Sequence, residues 1–107
     1  MSGELWVTNL ETGQRERLLP DFLIEHYNIS PDGKRIVFGR IDDAGRSPVW
    51  FATLDGSSPP RSLASVDSVR ALYGANGDVF FVGREREGDL GFLYRIRKDG
   101  SGLQKVV

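Results

Sequence analysis

A turn followed by a short apolar strand decides the fold of this chain, in the stretch Asn28-Ile29-Ser30-Pro31-Asp32-Gly33-Lys34-Arg35-Ile36-Val37-Phe38. Pro31 and Asp32 are typical turn residues, and Gly33 supplies the positive φ that a tight hairpin needs. The β-branched and aromatic run that follows is typical of a strand. This stretch therefore predicts a β-hairpin.

The hairpin belongs to a repeat of 44 residues. Three triplets that each open a segment of alternating character start 44 residues apart: Leu5-Trp6-Val7, Val49-Trp50-Phe51 and Leu93-Tyr94-Arg95. The same shift, without a gap, places residues 36–38 on residues 80–82 and Gly33 on Gly77. A period of this length is typical of four-stranded propeller blades or of two-helix solenoid repeats.

Strand chemistry favours the blades, since the apolar runs are short and bounded by Gly, Pro, Asp or Asn. We predict ten strands, near residues 5–10, 15–19, 23–29, 35–41, 48–54, 60–64, 67–73, 78–84, 91–97 and 103–107. The most helix-like stretch is 21–27, where we expect at most a single turn. The expected fold class is all-β.

Residues 28–38 resemble the Ser-Pro-Asp-Gly-Lys-x-Ile-x-Phe signature of the TolB-like β-propellers, a family of WD-like repeats. The flanking segments 5–10 and 12–19 resemble that family's Leu-Trp-Val-x-Asp-Leu, Gly and Arg-Leu-Thr elements, and residues 49–63 repeat them. The resemblance implies blades of four antiparallel strands and an incomplete ring, part of a larger propeller similar to six-bladed ones. Residues 1–107 then form a partial propeller: the outer half of one blade (5–19), a second blade (21–64) and a third (65–107).

Composition excludes several classes of function. The net charge of -1 offers no basic field for nucleic acid, and the absence of cysteine removes disulfides and thiolate chemistry. One histidine, His26, cannot build a multi-histidine metal site, so we expect neither a metal nor a cofactor. No apolar run is long enough to enter a membrane, and the first residues lack the features of a signal peptide. The compartment stays open, although the family resemblance implies a periplasmic one.

Two groups of polar residues are candidates for binding. The first would line a central channel, because His26 and Arg70 take the same position of successive innermost strands, and it comprises Glu25, His26, Asn28, Asp67, Ser68 and Arg70. The second would form a rim in matched loops and comprises Asp42, Asp43, Arg84 and Arg86. We interpret Ser30 and Asp32 as turn residues rather than partners of His26 in a catalytic triad. The recurring Trp6, Trp50 and Tyr94 are expected to pack between blades.

By the resemblance, the expected function is non-catalytic binding or scaffolding of a protein or peptide, without nucleic acid. Three alternatives stay open: the gating propeller of a prolyl-oligopeptidase-type serine peptidase, a polysaccharide-lyase propeller, and an extracytoplasmic sensory domain of a regulator. Incomplete blades would leave apolar faces uncovered. We therefore expect self-association, or that the chain is part of a longer one.

Overall fold

The computed structural model describes residues 5–8, 10–84, 91–97 and 100–106. The described residues form nine β-strands and no helix. The strands are Leu5–Thr8 (β1), Arg15–Leu18 (β2), Ile24–Ile29 (β3), Arg35–Arg40 (β4), Pro48–Thr53 (β5), Arg61–Tyr73 (β6), Val79–Arg84 (β7), Phe92–Ile96 (β8) and Gln104–Lys105 (β9). The all-β fold is thus confirmed, and the helix-like stretch contributes only a turn that Phe22 N closes on Leu19 O.

Two antiparallel sheets contain these strands. β1 and β2 form a hairpin by themselves, and β3 to β9 follow one another in chain order as a seven-stranded antiparallel sheet. The two strands expected at 60–64 and 67–73 are one long strand, β6. The start of β6 pairs with β5, and its end, from Asp67 to Tyr73, pairs with β7. The chain therefore passes from one four-stranded unit to the next without a break.

We name the parts by these pairings. The N-terminal hairpin is β1 and β2; the first unit is β3, β4, β5 and residues 61–64; the second unit is residues 67–73 with β7, β8 and β9. Residue Phe38 of the first unit lies opposite Tyr27 and Trp50. In the second unit, Phe81 lies opposite Ala71 and Tyr94.

The ungapped repeat is wrong for one strand. Tyr27 and Ala71 are 44 residues apart, and so are Trp50 and Tyr94. Phe38 and Phe81, which lie between them in the two units, are only 43 residues apart. The reason is hairpin length: Ser30 N donates to Arg35 O in the first unit, whereas Gly74 N donates to Asp78 O in the second. The second hairpin is one residue shorter, and a one-residue shift moves a strand's side chains to the opposite face. Residues 79–81, rather than 80–82, therefore correspond to residues 36–38.

The core is divided between two layers. Ile36 and Phe38 face the N-terminal hairpin in a cluster with Ile24 and Ala52. Because side chains alternate along a strand, Val37 faces the opposite way, into a larger cluster between the units. The other buried members of that cluster are Val49, Ala71, Val79, Phe81, Tyr94 and Ile96. Face-to-face packing of the first and second units thus holds most of the apolar core.

The N-terminal hairpin covers part of the outer face of the first unit. Leu5, Leu18 and Leu19 pack against its core cluster, as does Trp50. Trp6, by contrast, is 55% exposed. Packing between layers is therefore confirmed for Trp50 and Tyr94, and the expectation is wrong for Trp6, which lies on the outward side of the hairpin.

Candidate binding surface

The first strands of the two units meet at one edge, and His26 joins them. His26 Nε2 lies 3.0 Å from Ser68 Oγ. Ser68 Oγ in turn donates to Ser47 O. Since a serine hydroxyl has one proton to donate, the His26 ring must donate from Nε2. The expected channel residues His26 and Ser68 thus do come together, as a structural link between the units.

That link determines the protonation of His26. With the proton on Nε2, Nδ1 is the unprotonated nitrogen, and it is buried without a hydrogen-bond partner among the described residues. Burial lowers the pKa of His26 below the ordinary value, and the bond to Ser68 and the nearby Glu25 and Asp67 carboxylates oppose this only in part. The ring is therefore a neutral donor near pH 7.

A glycine makes room for the ring. Gly39 lies opposite His26 across the β3–β4 pair, and a Cβ at Gly39 would lie 2.3 Å from His26 Nε2. No larger residue fits there unless the ring moves. The hairpin register derived from the turn would have placed Gly39 opposite His26, so this contact was within reach of the sequence.

Asn28 forms a second link between the units. Its Oδ1 accepts a hydrogen bond from Tyr73 N at 2.9 Å. Arg70 takes in the second unit the position that His26 has in the first, as predicted, but its side chain is exposed, like that of Glu25. Glu25 and Arg70 are thus the accessible members of the expected channel group.

Asp67 has a structural role at the crossing between the units. Its Oδ1 accepts from Ser47 N at 2.7 Å, and its Oδ2 lies 3.8 Å from Arg84 Nη2. Arg84, expected on a solvated rim, instead approaches this residue of the expected channel group. Its Nε is buried and has no hydrogen-bond partner among the described residues. Arg86 lies outside the described residues.

The other expected rim residues lie in the loop after β4. Asp42 Oδ1 accepts from Ala44 N at 3.0 Å and from Arg46 N at 2.9 Å, so this carboxylate closes its own turn. Asp43 is exposed. Within the described ranges, no group of three or more His, Asp or Glu residues could hold a metal ion.

Ser30 and Asp32 are engaged in the turn, as expected. Ser30 Oγ donates to Asp32 Oδ1 at 2.5 Å, and Lys34 N donates to the same oxygen at 3.0 Å. The Ser30 bond chiefly lowers the pKa of Asp32. The backbone of Gly33 has φ +73. These contacts stabilise the hairpin, and the Ser30 hydroxyl donates to Asp32 rather than to His26.

Apolar side chains remain exposed on the two first strands. Tyr27 and Ile29 lie on β3 beyond the cover of the N-terminal hairpin, and Tyr27 is 53% exposed. Leu72 on β6 is 42% exposed. Tyr27 and Ile29 lie on the face of the first unit that carries the N-terminal hairpin, whereas Arg70 and Leu72 lie on the face of the second unit away from the first unit. We call the mixed charged and apolar strip formed by Arg70 and Leu72 on β6 the first-strand surface.

The sequence missed a groove on the outer strands of the first unit. Arg35, Phe51 and Arg61 line it together with Pro59 and Pro60. Arg35 and Phe51 share a sheet face only because of the register of β4 with β5. Neither composition nor spacing signals this groove, since its residues come from three strands and a loop.

A comparison with protein-family models and with curated proteins finds no significant match for this chain. A helix long and apolar enough to cross a membrane is not found in the described part of the chain.

Proposed function

We propose that the two units are successive blades of a TolB-like β-propeller and that the chain is part of such a ring. Three features support this proposal. Each unit is an antiparallel four-stranded sheet, β6 connects the last strand of one unit to the first strand of the next, and these first strands lie side by side through His26 and Asn28. Radial repetition of four-stranded sheets around a channel has this connectivity.

We infer that this module binds a protein or peptide and does not itself catalyse a reaction. The observation that carries the inference is the first-strand surface, where the charged Arg70 lies opposite exposed Val82 and two residues from exposed Leu72. Apolar groups with charged neighbours on a rigid sheet favour protein recognition. His26, Asn28 and Ser68 are engaged in bonds between the units, which fits a structural role.

The outer face of the second unit, which includes the first-strand surface, is also where a further blade would pack. Leu72 and Val82 are exposed there, on the side away from the first unit. In the first unit, the corresponding face is covered by the second unit. We propose that another blade covers this face, either from a longer chain or from a second copy.

The binding function is tested by selecting, from a library of displayed peptides, those that bind the folded chain. Enriched peptides should lose binding to Arg70→Glu, which reverses a charge on the first-strand surface. Asp43→Lys is the matched control for the alternative site at the expected rim. Selection without enrichment, or enriched peptides that are insensitive to both substitutions, would contradict binding at either place.

A further inference from the structure

The groove lies where the face shared by the two units becomes uncovered. Val37 and Val49 on this face of the first unit are buried by the second unit. Phe51 lies opposite Val37 on the same face but is only half-buried, and beyond it the groove opens with a volume of about 520 Å³. The groove is therefore a continuation of the interface between the units.

Two guanidinium groups lie over one aromatic ring in this groove. The Arg35 guanidinium carbon is 5.8 Å from the centre of the Phe51 ring, and that of Arg61 is 5.3 Å from it. The two charges thus lie no more than about 11 Å apart, the sum of those distances. Two cations in one groove favour a bound anion. Each arginine also presents a planar set of donors that matches a carboxylate.

The groove's described lining contains no acidic residue. The Asp32 carboxylate attracts the Arg35 guanidinium from outside this lining. Pro59, Pro60 and the Phe51 ring contribute apolar surface between the cations. A ligand must therefore offer negative charge together with aliphatic groups.

The second unit helps to position Arg61. Gly100 follows β8 with φ +86, and a Cβ there would lie 3.3 Å from Arg61 Nη2. The glycine lets the backbone approach the guanidinium closely. The second unit therefore contacts one of the two arginines that line the groove.

We propose that this groove binds an acidic, extended segment of a protein partner, with carboxylates on Arg35 and Arg61. The inference rests on the proposed function as a binding module and names the partner's chemistry at a second site. Side chains on one side of an extended peptide recur every second residue, about 7 Å apart, within the span of the two arginines. The aliphatic stems of glutamates pack on Phe51 and the prolines.

Fluorescence anisotropy with a labelled peptide that alternates glutamate and serine tests the proposal. The folded chain should bind it saturably, and added salt should weaken binding. Arg35→Gln should weaken it about tenfold, which corresponds to about 1.4 kcal/mol. Arg35→Lys should recover only part of the affinity, because lysine keeps the charge without the planar donors.

Arg46→Gln is the matched control, because it removes the same charge from the exposed loop that follows β4, at the other end of that strand from Arg35. It should leave binding of the acidic peptide unchanged, and circular dichroism should show all variants folded. Equal losses from Arg35→Gln and Arg46→Gln would overturn the proposal in favour of unspecific attraction. Displacement by inorganic phosphate as effective as by free peptide would overturn it in favour of a small-anion site.

Failure here is distinguishable from failure of the proposed function. If the acidic peptide does not bind but display-selected peptides bind in a way that depends on Arg70, the proposal for the groove is overturned. The proposed function as a binding module is then still supported. Acidic-peptide binding that depends on Arg35, alongside a display selection without Arg70 dependence, would move recognition from the first-strand surface to the groove.

Discussion

Trp50→Ala should destabilise the fold strongly, whereas Trp6→Ala should not, although the two tryptophans hold the same place in the repeat. Trp50 contacts Phe22 edge-on, with the ring centres 5.4 Å apart, and the Arg40 guanidinium carbon lies 4.9 Å from its ring centre. The aromatic pair contributes about 1 kcal/mol and the cation–π contact about 0.5 to 1 kcal/mol. Removal of a packed tryptophan costs about 3 to 5 kcal/mol in total.

We expect about 3 kcal/mol for Trp50→Ala, the lower end of that range, because Trp50 keeps some exposure. Trp6→Ala should cost less than about 1 kcal/mol, since the ring is 55% exposed. In a domain of this size, 3 kcal/mol lowers the melting temperature by more than about 10 °C.

Urea unfolding followed by far-ultraviolet circular dichroism measures both variants, since this signal comes mainly from the backbone and the unfolding midpoint can be followed after a tryptophan is removed. Trp50→Phe serves as a second variant that keeps an aromatic ring and should lose less stability. Equal free energies of unfolding for Trp6→Ala and Trp50→Ala would refute the assignment of Trp50 to the layer between hairpin and first unit.

Four further outcomes are expected. Gly33→Val should lower the free energy of unfolding by about 1 to 3 kcal/mol through backbone strain alone, because φ at Gly33 is +73 and no atom would meet an added Cβ. Lys34→Ala should stay near wild type, and equal melting temperatures for the two variants would contradict the turn assignment. Gly39→Ala should displace the imidazole of His26, seen as a change in its carbon and nitrogen NMR shifts, and unchanged shifts would contradict the contact. Because the pKa of His26 is lowered on folding, the unfolded chain binds more protons, so the free energy of unfolding should fall as pH drops below about 6.5. His26→Gln should remove this pH dependence, and a slope that persists in the variant would contradict the assignment to His26. Sedimentation equilibrium should show association of residues 1–107 that Leu72→Lys weakens, and a concentration-independent wild-type monomer would contradict coverage of that face by a second copy.

Local chemistry explains what the sequence predicted well. The turn at residues 30–35 follows from short-range bonds of Ser30 and Asp32 and from the positive φ of Gly33, none of which depends on distant residues. Most strands were likewise found within one or two residues, because apolar runs bounded by turns mark them.

Non-local packing explains what the sequence did not predict. The shorter second hairpin shifts the face of β7, and Asp78, which closes it with Gly74, forms an ion pair with Arg95 at 2.6 Å. No period count detects that a residue is missing from one hairpin. The exposure of Trp6 depends in the same way on what lies against the hairpin, which its repeat position does not record.

The candidate site shows the same division. That His26 and Arg70 share a strand position could be predicted from the period, and the paired strands confirm it. That His26 is bonded while Arg70 is exposed could not, because the difference depends on whether a neighbouring unit presents Ser68. The groove at Phe51 was out of reach for this reason too.

The packing of the two units through their first strands is the central claim, and nuclear Overhauser spectroscopy of the labelled chain tests it most directly. The account predicts cross-peaks from the His26 ring to the Ser68 β-protons and from the Asn28 β-protons to the Tyr73 amide, because the bonds that join them are 3.0 and 2.9 Å. Absence of both, in a spectrum that shows the Tyr27 and Phe38 pair within the first unit, would contradict it.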